Sequence, residues 1–114
     1  MKSVSCDKNL IEKFIEDLWL QSGLAKNTLV AYNSDISGLS AYLTEIKLDL
    51  KRARADNLKD FLAALGKDSR QTVSRKMASI RRFYKYLHRE GLIAKDPSID
   101  LPSYRNSRYL PQVL

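Results

Sequence analysis

An all-α fold, a compact bundle of four helices followed by an extended C-terminal segment, is predicted for this 114-residue chain by three observations. Apolar residues recur every three to four positions in four separate stretches. Turn residues or polar connections divide those stretches, and no run alternates with the period of two that a half-buried strand requires. With 44% hydrophobic residues, one domain can close its core on one stripe from each helix without a metal or disulfide framework.

The first helix is predicted from Asp7 to Ser22, where the pairs Leu10/Ile11, Phe14/Ile15 and Leu18/Trp19 recur with helical spacing and Gly23 stops the run. The doubled pairs make a wide stripe, as in a helix wedged between two neighbours, and Trp19 at its edge is expected in the core. The second helix is predicted to start at Asn27 as N-cap and to run to about Glu45, with Leu29, Tyr32, Ile36, Leu39 and Leu43 on one side. Its other face, Val30, Asn33, Ser34, Ser37 and Ala41, is uncharged and mostly small. Close approach to a large partner and contact with another helix of the same domain explain that face equally well. Lys26, Asn27 and Thr28 stand at the helix N-terminus, where free N–H groups and the dipole favour a phosphate; for Asn27 and Thr28, capping is the competing role.

Residues 46–55 read as an irregular connection carrying Lys51, Arg52 and Arg54. Asp56 is expected to cap a short third helix with Leu58, Phe61, Leu62 and Leu65 buried and Gly66 as its stop. The fourth helix spans Ser69 to Glu90, opened by an Asp68–Gln71 capping box and closed by Gly91. At roughly 100° per residue, Val73, Met77, Ile80, Tyr84 and Leu87 share a narrow apolar sector, and Arg75, Arg82 and Arg89 repeat nearly opposite to it. Gln71, Ser74, Ala78 and Ser79 between those arginines are short enough to let the backbone approach a nucleic acid; a merely solvated basic face is the alternative. After Leu92 and Ile93, Asp96-Pro97 forbids further helix. Residues 1–97 are therefore read as the helical domain and 98–114 as an extended linker, of the kind that joins a domain to a further one.

Charge is distributed unevenly. Residues 1–65 carry nine Lys/Arg and nine Asp/Glu, whereas residues 66–114 carry eleven and four, so the whole net charge of +7 lies in the C-terminal part. Such asymmetry favours a polyanionic partner, with a membrane surface or an acidic protein as lesser alternatives. A lone Cys6 precludes an internal disulfide and suits a reducing, cytoplasmic setting; no stretch has the length to cross a bilayer and the N-terminus lacks a secretory core. One His and one Cys cannot assemble a zinc site of familiar spacing, and His88 is expected at the surface. No nucleophile has an identifiable base, and there is no glycine-rich phosphate loop or carboxylate set for magnesium. The chain reads as a binding module without cofactors.

Its residues resemble a known family. Leu24-Ala25-Lys26-Asn27-Thr28-Leu29, Tyr32, Asp35-Ile36, Leu39 and Tyr42-Leu43 are similar to the signature of the SAM-like core-binding domain of tyrosine recombinases and phage integrases. Ser74-Arg75, the run from Ile80 to Leu87, Glu90-Gly91, Asp96-Pro97, Leu101-Pro102 and Leu110-Pro111 continue the pattern in order. Leu18-Trp19-Leu20 looks most like the XerD branch of chromosome-dimer resolvases, with XerC next and a phage or integron integrase as a further alternative. The resemblance implies half of a C-shaped clamp on a recombination half-site, with helices two and four across the DNA. Lys26, Asn27 and Thr28 would then meet phosphates, and Gln71, Ser74, Arg75, Ser79 and Arg82 would approach from helix four, with Arg89 added by its heptad spacing and Arg81 bracing the fold.

The same resemblance implies that the catalytic residues lie in a domain beyond Leu114, so that this chain by itself does not cleave DNA. The parent would rejoin strands through a phosphotyrosine link as a tetramer, with an XerC-like partner recombinase and a DNA translocase. Pro102-Ser103 departs from the family's Pro-Lys pair, which removes one expected DNA contact. Outside that family, a helical adaptor with a basic face for an acidic protein is the competing function.

Overall fold

Among the described residues the chain forms four helices, α1 (Lys2–Ser22), α2 (Lys26–Glu45), α3 (Ala55–Ala64) and α4 (Arg70–Arg89), with one 3-10 turn (Leu50–Arg52). The computed structural model describes residues 2–66, 68–99 and 101, with side chains described from Asp7 onward. No strand occurs among the described residues.

Helix α1 begins at Lys2, five residues before the expected Asp7 start. Gly23 ends it with a φ of 59°, a left-handed turn that costs glycine nothing, and its N–H donates to the Trp19 carbonyl. Ile11, Phe14 and Leu18 are buried, but Trp19 is 57% exposed and is not a core residue. The rows at 11, 14 and 18 face the other helices, and Trp19 lies one residue round to the solvent side. Phe14 is the hub: its ring meets Phe83 edge-on at 5.2 Å, Tyr86 at 5.6 Å and Tyr32 at 6.1 Å, tying α1 to α2 and α4 at one point.

Helix α2 is capped by Ala25, not by Asn27, and Ala25 offers no side-chain acceptor. Its end has no glycine. Lys47 takes the left-handed conformation instead, at a φ of 63°, while the Leu48 N–H donates to the Leu43 carbonyl across the turn. The connection that follows is organised by a buried carboxylate. Asp7 accepts the Ser40 hydroxyl at 2.7 Å and the Leu50 N–H at 3.1 Å, and the Tyr84 hydroxyl donates to the Leu50 carbonyl at 2.7 Å. One turn is thus fastened to α1, α2 and α4 together.

Helix α3 starts two residues earlier than expected, with Arg54 as N-cap and the Asn57 Oδ1 accepting its N–H, so Asp56 is not the cap. Leu58, Phe61 and Leu62 are buried as expected. The cap of α4 is Ser69, whose Oγ accepts the Thr72 N–H, rather than the Asp68–Gln71 pair. Gly91 closes α4 with a φ of 74°. The packed body continues past the boundary expected at Pro97: Ser98 and Leu101 are both buried, and the Arg81 guanidinium donates to the Leu101 carbonyl, the bracing role expected of it. The Pro102-Ser103 departure and the Leu110-Pro111 motif of the expected linker lie outside the described residues.

Candidate nucleic-acid interface

Helix α4 carries seven Lys/Arg and no Asp or Glu, and it lies against both α1 and α2. Its buried sector is wider than the narrow stripe expected, because Ser79 and Phe83 are buried along with Val73, Met77, Ile80, Tyr84 and Leu87. Those two residues sit roughly 80 to 120° round the helix from that stripe. The middle of the buried sector is therefore rotated toward the arginine row, so that Arg75 and Arg82 lie nearer to the border at Ser79 and are no longer diametrically opposite to the core. Arginines placed near such a border reach across to the neighbouring helices.

Each of the three heptad-spaced arginines does so. Arg75 donates from Nε to Asp35 Oδ2 at 3.2 Å and from Nη2 to Asp35 Oδ1 at 2.8 Å, a two-bond fork onto a carboxylate that is 1% exposed. Ser79, expected at the surface as a DNA contact, is instead 1% exposed; its hydroxyl donates to the same Asp35 at 2.7 Å. Arg82 donates to the Ser22 hydroxyl at 3.2 Å, reaches the Tyr32 hydroxyl at 3.4 Å and lies over the Tyr32 ring. Arg89 pairs with Asp17 at 2.9 Å and Glu90 at 3.2 Å, over the Tyr86 ring. The hydrogen bond to Glu90 raises the Arg89 pKa further, and burial, with Glu90 adding to it, raises that of the Tyr86 phenol, which stays neutral.

Two open grooves result. The first, about 310 Å³ between the N-terminal half of α2 and α4, is lined by Asn27, Thr28, Ala31, Tyr32, Asp35, Arg75, Ala78 and Ser79. It brings together residues separated by some 50 positions in sequence, and it sets the start of α2 beside the Arg75 guanidinium. Because Ala25 supplies no cap, the first amides of α2 keep their N–H groups free for a ligand or water. The second groove, about 740 Å³ between α1 and α4, holds Arg82 and Arg89 together with Arg81, Lys85 and His88, and Ala78 lines both. Lys26 is exposed at the start of α2; exposed Gln71 and half-buried Ser74 lie on the first turns of α4, in neither lining. His88 is exposed on the groove rim.

Sequence reasoning missed Lys85 and Asp35 as parts of this surface. Lys85 is exposed and makes no ion pair among the described residues, and the signal was its position three residues after Arg82 on a helix without acids. Asp35, one of the motif residues, falls on the core side of α2, where an aspartate stays only with a partner. Among the described residues no cluster of three or more His, Cys, Asp or Glu is placed to hold a metal, and no helix is long and apolar enough to cross a membrane.

Comparison with known proteins agrees with this architecture. Residues 11–91 match the family described as phage integrase, N-terminal SAM-like domain. The chain is similar to the tyrosine recombinase XerD of Yersinia pestis, at 38% identity over 110 residues, covering 95% of this chain and 37% of that protein. It is also similar to XerD of Shewanella oneidensis, at 36% identity, and of Vibrio cholerae, at 32%, each covering 99% of this chain and 38% of the relative. The chain thus spans little more than a third of the length of these relatives.

Proposed function

The chain belongs to the phage integrase N-terminal SAM-like domain family, and on that premise we propose that it is the duplex-DNA-binding module of a XerD-like site-specific recombinase. The first turn of α2 and the outer side of α4 hold the recombination half-site. The observation that carries this reading is the first groove, where the uncapped start of α2, with Asn27 and Thr28, opens beside Arg75. Amides and the positive end of a helix dipole suit a phosphate, and a neighbouring basic helix without acids adds long-range attraction. Lys26 and Lys85, which make no ion pair among the described residues, supply charge for phosphates along either side. Gln71 and Ser74 extend the contact along α4, and Arg82 and Arg89 border it from the second groove. In the whole protein, this module would work with a catalytic domain that breaks and rejoins strands, in a tetramer with an XerC-like partner recombinase and a DNA translocase.

Titration of the 114-residue chain with labelled duplex over a salt series tests the reading. Neutralising about four to six phosphates gives a slope of about −4 to −5 in log affinity against log salt. Lys26→Ala and Lys85→Ala each reduce that slope by about one without changing the melting temperature. Binding that ignores salt, or a slope untouched by both substitutions, contradicts the proposal; an adaptor for an acidic protein would also show no preferred site.

A further inference from the structure

The fork between Arg75 and Asp35 leaves one particular edge of the guanidinium free. Arginine has five N–H donors in a fixed plane. The Nε hydrogen and one Nη2 hydrogen go to Asp35, at 3.2 and 2.8 Å. The opposite edge, one N–H each from Nη1 and Nη2 pointing in parallel, has no partner among the described residues, and the Arg75 side chain is 54% exposed. We propose that Arg75 reads a guanine through the major groove and that Asp35 is the positioning residue that aims it. The inference rests on the DNA-binding reading and assigns a base-specific role within that surface.

Three observations favour reading over gripping. The carboxylate is immobilised: Asp35 is 1% exposed, and buried Ser79 donates at 2.7 Å to its Oδ2, the oxygen that also accepts the Arg75 Nε hydrogen. A side chain held by such a shell keeps its direction, which a base contact needs and a phosphate contact does not. The charge of Arg75 is already balanced by Asp35, so the pair adds little to the attraction for a polyanion, unlike Lys26 and Lys85. The flanking positions are small: Ala31 on α2 and Ala78 on α4 line the same groove, so the helices can come close to base edges. The free edge matches the O6 and N7 acceptors that guanine alone presents side by side in the major groove.

Selection from a randomised duplex library with the 114-residue chain, followed by salt titration on the winning duplex, tests the inference. The wild type enriches a site with one dominant guanine, and replacing that base by 7-deazaguanine weakens binding about tenfold. Arg75→Lys, which keeps the charge and loses the fork, drops the preference at that position alone and becomes indifferent to the deaza base. Asp35→Asn releases the arginine's charge while loosening its aim, so affinity for arbitrary duplex rises as discrimination falls. A residue that only supports the fold would not produce that opposed pair of changes, and Arg75→Lys keeps the test available if Asp35→Asn misfolds. An unchanged selected site with Arg75→Lys overturns the proposal, as does a uniform change in affinity across all duplexes with no change in base preference. A wild-type chain that binds duplex with the expected salt slope yet selects no base defeats base reading alone. A chain that binds no duplex defeats the functional reading beneath it.

Discussion

Replacing Asp7 by asparagine and by alanine separates the two things its carboxylate does. Burial raises its pKa above the ordinary value near 3.8, against the lowering effect of hydrogen bonds from Ser40 and the Leu50 N–H, and Asp49 pushes it up further. A carboxyl whose folded-state pKa exceeds the unfolded one contributes stability that is fully present below the unfolded pKa and is lost as pH rises through the folded pKa. The stabilising contribution of Asp7 is therefore lost as pH rises from about 4 upward, and an asparagine, which never ionises, has no such loss. Asparagine retains an acceptor for Leu50 and donates to Ser40, whose own proton then turns to a carbonyl of its helix. Alanine leaves the buried Leu50 N–H without a partner and weakens Ser40, a cost of roughly 2 to 3 kcal/mol, which lowers the melting temperature by about 10 to 15 °C. Thermal melts followed by circular dichroism at pH 4 and pH 7 make the comparison. Asp7→Asn should match or exceed the wild type at pH 7, with a smaller margin at pH 4. An asparagine variant as unstable as alanine at pH 7, or a margin that does not change with pH, refutes this account of the buried carboxylate.

Three further outcomes follow from single contacts. Tyr84→Phe removes the hydroxyl bonded to the Leu50 carbonyl at 2.7 Å and should destabilise by about 1 kcal/mol in urea unfolding, with the denaturant slope unchanged. Lys47→Gly relieves a left-handed non-glycine residue at the end of α2 and should stabilise by roughly 0.5 to 1 kcal/mol in the same assay. Trp19, at 57% exposure, should be quenched by acrylamide in the folded chain nearly as well as in urea, and Trp19→Ser should leave stability within about 0.5 kcal/mol.

Four helices were legible in the sequence because Phe14, Ile36, Leu39, Phe61, Ile80 and Leu87 repeat at helical spacing and all of them are buried. Gly23 and Gly91 also marked true helix ends, both with positive φ. The end of α2 was harder to see, since Lys47 performs there what glycine usually does. Trp19 misled because a doubled apolar pair does not say which member faces inward. The surface was legible in composition and not in geometry. Asn27, Thr28 and Arg75 stand far apart in the sequence, and the groove brings them together. The partners of the arginines were hidden, because Asp35, Ser22, Asp17 and Tyr32 approach only after α1 and α2 fold against α4. Ser79 is the clearest case: its neighbours in sequence are compatible with exposure, and only the wider buried sector of α4 encloses it.

Amide chemical shifts followed while a duplex is titrated into the labelled chain test most directly whether the start of α2 and the outer side of α4 form one DNA-binding face. The largest changes should fall on residues 26–28 and on α4 between Gln71 and Lys85, with α3 and the solvent side of α1 around Glu12 unmoved. Changes centred on α3, or confined to the far side of α1, would contradict it.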